Sequence, residues 1–153
     1  MVLDRGDDVR FTRAALASHD PAAGRVVVHP TVASLASTGR YLWRDILHAL
    51  GGTATRPRAP RAPREEQERA VHAALQAVPA CQLTVLRAHR IGSGLWADLV
   101  HLHRTTHANL VLVHHAELPD DLAHLLRHCD HRIIDTFAGM EKLHPPAAAS
   151  ANS

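Results

Sequence analysis

Fourteen histidines stand out in this chain, and two pairs of them fall at a spacing that can do chemistry. His103 and His107 lie four apart in a stretch patterned as a helix, and His124 and His128 repeat the spacing, with Cys129 and His131 just beyond. Side chains at i and i+4 share a helix face, so each pair could chelate Zn²⁺ once a third ligand arrived from elsewhere. Neither pair encloses the glutamate of a zinc hydrolase, and the two cysteines, Cys81 and Cys129, stand far apart. The expectation is exposed or partner-facing histidines and no dedicated metal site, with His103, His107, His124 and His128 as weak candidates. A second group is cationic. Arg56, Arg58, Arg61 and Arg64 alternate with Pro57, Pro60 and Pro63. Such an arm would touch phosphates without reading sequence, and it has no aromatic residues for base stacking. Weak nucleic-acid association is the most it implies; the plain alternative is a solvated loop.

The elements that must position these residues follow from apolar patterning. At 153 residues one domain is expected, and with aromatics at only 3% its core must be built from Leu, Val, Ala and Ile. No run approaches the ~18–20 apolar residues that a membrane span requires. The N-terminus MVLDRGDDVR lacks the apolar stretch of a leader, and two distant cysteines suit a reducing compartment, so a cytoplasmic location is expected. The formal charge of +2 excludes little.

Val2-Leu3 is a short candidate strand, and Arg10 to Ser18 a helix stopped by Asp20-Pro21 and Gly24. Arg25 to His29 is a β-branched run closed by Pro30. A helix follows through Tyr41, Leu42, Ile46, Leu47 and Leu50, capped by Ser37 or Thr38 and ended at Gly51-Gly52. Residues 53–64 are too proline-rich for helix or sheet interior, and Glu65-Glu66 restart a helix that runs to Val78. Leu83 to Leu86, a helix, and Leu110 to Val113 then form a strand–helix–strand unit. A helix from Leu118 to Arg127 and a last strand at Arg132 to Ile134 complete the order. Residues 145–153 have nothing to bury and are expected to be a disordered tail. Strands alternating with helices predict a three-layer α/β sandwich around a mostly parallel sheet of about five strands.

This order, with VLRAHRI after one strand, LVLVHHAEL at the next, and ALASHDPAAGRVVVHP and YLWRDILHALGG earlier, resembles a P-loop ATPase core of the AAA+ type, in particular the compact ATPases of transposition and secretion systems. The resemblance covers roughly residues 6–134 and implies a single AAA+-like domain over residues 1–144 with an inserted segment at 53–64. It also implies where nucleotide chemistry would sit, and there the residues have changed. In the aligned phosphate loop, Gly6 would match a loop glycine, Val9 would fall at the lysine and Arg10 at the hydroxyl, with Asp7 and Asp8 where triphosphate must lie. At the Walker B position Leu86 and Arg87 replace the metal-holding acid and the glutamate that orients water. The sensor position at the end of the following strand keeps a polar residue, His114 or His115.

Gly6, Arg10 and His115 are therefore the candidates for a vestigial nucleotide site, and no catalytic residue is expected. The leading expectation is a non-catalytic interaction or regulatory module that assembles with an ATPase relative or with itself, in a setting that can include nucleic acid. No cofactor is expected. The alternatives are an unorthodox ATPase using ATP and Mg²⁺, and a histidine-rich protein that binds zinc.

Overall fold

The computed structural model describes residues 1–31, 40–51, 62–78 and 80–146. Its centre is a four-stranded, all-parallel sheet in the order β1-β4-β3-β2, where β1 is Val2–Leu3, β2 Arg25–Val28, β3 Gln82–Val85 and β4 Asn109–His114. Every connection between these strands contains a helix, as parallel pairing demands. The helices are α1 (Val9–Ala17), α2 (Arg40–Ala49), α3 (Arg64–Gln76), α4 (Ser93–Thr106), α5 (Asp120–Arg127) and α6 (Phe137–Leu143).

Alternation along the strands divides the core into two. Val26, Val28, Leu83, Val85 and Leu112 point to one face, where Leu42, Trp43 and Ile46 of α2, Val71 and Leu75 of α3, Leu99 of α4 and Leu122 of α5 pack on them. Val2, Val27, Val111 and Val113 point to the other face, against Phe11 and Ala15 of α1 and Met140 of α6. The sheet is thus covered on both sides, which explains why its strands read as near-continuous apolar runs. Both tryptophans are core residues: Trp43 is fully buried, and Trp96 donates its indole N–H to Ile91 O at 3.0 Å. One polar side chain sits mid-sheet. Thr84 is fully buried, and its hydroxyl bonds His144 Nε2 at 2.9 Å just after α6.

Three expectations need correction. The sheet has four strands among the described residues, because the segment expected as a fifth contributes only Ile134, bridged in parallel to Val2. Two hydrogen bonds make that bridge, Leu3 N to Ile134 O at 2.8 Å and Ile134 N to Met1 O at 2.9 Å. The chain then turns at once into α6, which the sequence reading lacked; Thr136 caps it by accepting from Gly139 N at 3.2 Å. Gly139 is required by contact: a Cβ there would lie 2.6 Å from Ile134 Cγ2. Third, the helix carrying His103 ends at Thr106, and His107 is its left-handed cap with φ 59°. His103 and His107 therefore do not share a helix face.

The caps expected at Ser37 or Thr38 lie outside the described residues, as do residues 52–61 with Arg56, Arg58 and Arg61, and residues 147–153 of the tail. The last part of the Arg/Pro stretch is described: Ala62 is buried, Pro63 precedes α3, and Arg64 is the first residue of that helix. No helix among the described residues is long and apolar enough to cross a membrane.

Candidate functional site

Parallel strands all end on the same side of a sheet, and ligands of open α/β sheets bind in the crevice beyond those carboxyl ends. Here three of the ends bring charge together. β1 gives way to Asp4, whose backbone N–H bonds His114 O at 2.9 Å and so holds it beside the end of β4. β4 continues into His115. β3 continues through Leu86, buried in the core, to Arg87.

The central contact is a buried pair. His115 Nδ1 donates to Asp4 Oδ2 at 2.8 Å, with side-chain exposures of 1% and 4%. Asp7 reaches the same nitrogen at 3.2 Å, and its Oδ1 also accepts from Arg87 at 2.7 Å. Two backbone kinks aim these groups. Asp7 has φ 48° and Arg87 φ 54°, a left-handed conformation uncommon outside glycine, though tolerated by aspartate. The Arg87 guanidinium holds the Asp7 carboxyl below the usual carboxylate range.

His89, in the short turn after Arg87, closes the inner side. Its Nδ1 accepts the His115 backbone N–H at 3.4 Å, and its ring lies edge-on to those of His114 and His115. Burial pushes both His89 and His114 below the usual imidazole range, which favours their neutral forms. His114 donates from Nδ1 to Ala116 O at 2.8 Å. Arg5 and Glu117 pair at 3.0 Å on the exposed rim. One atom in this network lacks a partner: His115 Nε2, which is fully buried.

Of the nucleotide-site candidates, Gly6 lies in the loop between Asp4 and Asp7, and His115 is at the heart of the cluster. Arg10 is elsewhere in effect. It bonds Asp8 Oδ2, the cap residue of α1, at 2.6 Å and lies over the Phe137 ring, 4.8 Å from its centroid. Val9, at the aligned lysine position, is an exposed first residue of α1. Arg64 pairs with Asp98 of α4 and Glu68 of its own helix, so its charge is neutralised within the fold.

The histidine pairs stand apart from this cluster. His103 bonds Ala108 O at 2.7 Å. The rings of His124 and His128 do meet, with centroids 5.0 Å apart, and His124 Nδ1 contacts Arg127 at 2.9 Å. Among the described residues, however, the one group of three ligand-bearing side chains whose donor atoms lie within 4.8 Å of one another is Asp4, Asp7 and His115. Asp4 carries no motif, and Asp7 registered only as a charge hostile to phosphate. What could have found them is charge balance: two carboxylates after β1, faced by an arginine and a histidine at two neighbouring strand ends.

Chemically the crevice is already closed on itself. Its cationic groups are engaged by carboxylates, and a phosphate entering it would meet Asp4 and Asp7. Such like-charge contacts oppose phosphate, most strongly at buried Asp4, where solvent screening is weakest. No protein-family model matches the chain, and no curated protein matches it.

Proposed function

We propose that this chain is a non-catalytic module of the P-loop/AAA+ type, which works by assembling with an ATPase relative or with itself rather than by turning over nucleotide. One observation carries the reading: the loop after β1 turns carboxylates, not a cradle of backbone N–H groups and a lysine, toward the ends of β3 and β4, and Arg87 and His115 are paired with those carboxylates. A working phosphate loop needs the opposite electrostatics. Leu86, where the metal-holding acid would stand, is fully buried in the core and offers nothing to a hard cation. The ordered parallel sheet needs none of these groups, since apolar burial on its two faces suffices to hold it. Assembly is supported by apolar surface on α1, where Val9 and Leu16 are about half exposed and seven residues apart, on one side of the helix.

The test is phosphate release from Mg²⁺-ATP by the purified chain. The expected rate equals that of a protein-free control. Turnover that disappears on Arg10→Ala would overturn the proposal, because it would mean that the segment entering α1 handles phosphate.

A further inference from the structure

The cluster beneath that crevice has a second capacity, independent of nucleotide. We propose that Asp4, Asp7 and His115 form a binding site for a first-row divalent transition-metal ion, held by His115 Nδ1 and one carboxylate oxygen from each aspartate. The three donor atoms lie within 4.8 Å of one another, a spacing that one ion could bridge. Ligands ~2.1 Å from a common ion lie about 3.0 Å apart in an octahedron and about 3.4 Å apart in a tetrahedron. His115 Nδ1 is 2.8 Å from Asp4 Oδ2 and 3.2 Å from Asp7 Oδ1. The three donors come from the ends of two adjacent strands, so a modest outward shift of each would seat the ion.

A second observation concerns the imidazole itself. Its side chain is 1% exposed, it is aimed into the cluster through Nδ1, and its Nε2 has no partner. A buried ring with one unpartnered nitrogen is unusual, since buried polar groups are ordinarily hydrogen-bonded. The ligand set also selects the ion: an imidazole nitrogen suits zinc, copper, iron or nickel, and is a poor ligand for magnesium or calcium.

Binding must balance charge and protons. The ion takes the Nδ1 lone pair, so the neutral ring carries its proton on Nε2 instead, and Arg87 keeps a carboxylate partner by moving to the other oxygen of Asp7. This differs from the zinc sites suggested by histidine spacing. His124 and His128 remain a surface pair with no third ligand within reach among the described residues.

The experiment is calorimetric titration of Zn²⁺ into the chelator-treated chain at pH 7.5. The expected result is one stoichiometric site, at least about tenfold weaker in Asp7→Asn, absent in Asp4→Asn, and unchanged in His124→Ala/His128→Ala. Asp7 is exposed, so the Asp7→Asn chain folds even if the buried substitution does not. Three results would overturn the proposal: no stoichiometric site, a site lost only with His124 and His128, or Mg²⁺ binding as tightly as Zn²⁺.

Discussion

Replacing Asp4 with alanine, in chelator-treated protein so that no cation contributes, measures what the buried pair does for the fold. Asp4 and His115 are 4% and 1% exposed at their side chains and bonded at 2.8 Å. Removing one member leaves the other buried without its partner, and breaking such a pair costs about 3–5 kcal/mol. For a domain of this size each kcal/mol lowers Tm by roughly 2–4 °C, so Asp4→Ala is expected to melt roughly 6–20 °C below the parent. Two comparisons separate the pair from mere bulk. Asp7→Ala removes an exposed carboxylate that touches the same nitrogen, and it should shift Tm far less. The double change Asp4→Leu with His115→Leu removes both partners together, and should recover most of the loss because apolar replacement of a whole buried pair is close to neutral. The assay is thermal unfolding followed by circular dichroism, with denaturant unfolding as a check on the free energy. If Asp4→Ala melted within a degree or two of the parent, the buried pair would not be holding the β1 loop, and the closed-crevice account would fail.

Two further outcomes follow from the packing. Gly139→Ala should destabilise the chain by about 1–3 kcal/mol although alanine is the better helix former, because its Cβ would stand 2.6 Å from Ile134 Cγ2; equal or greater stability in a denaturant melt would refute the close approach. Burial holds His144 below the usual imidazole range, so the folded state keeps it neutral where the unfolded chain takes up a proton. Its contribution is fully present above its unfolded pKa of ~6.5 and is lost as pH falls below that value. Tm measured from pH 7.5 to 5 should therefore fall less steeply in His144→Gln, whose side chain can still bond Thr84 but does not titrate.

The sheet was legible in the sequence because its strands are buried on both faces. Arg25–Val28 and Gln82–Val85 lack any competing period, and β-branched residues bounded by Pro30 or Gly24 leave little choice. The misses share a cause: tertiary contact overrode local pattern. Ile133-Ile134 has strand composition, yet only Ile134 reaches β1, and α6 hides in a segment whose Gly139 looks like a breaker and is there to let the helix pass Ile134. His103 and His107 kept helical spacing on paper, while the left-handed turn at His107 follows from where β4 must begin. The crevice was half visible. His115 could be placed at a strand end, but Asp4 and His115 are separated by 111 residues and Asp7 and Arg87 by 80, and complementarity across that distance leaves no periodic trace.

The most direct test of the central claim is thermal unfolding of the purified chain with and without millimolar Mg²⁺-ATP. A nucleotide present at 100 times its Kd adds about 2.7 kcal/mol to the native state, or roughly 5–11 °C for a domain of this size. A crevice whose Arg87 and His115 are already matched by Asp7 and Asp4 predicts no shift. A rise of several degrees, abolished by Arg10→Ala, would contradict it and make the β1 loop a phosphate site.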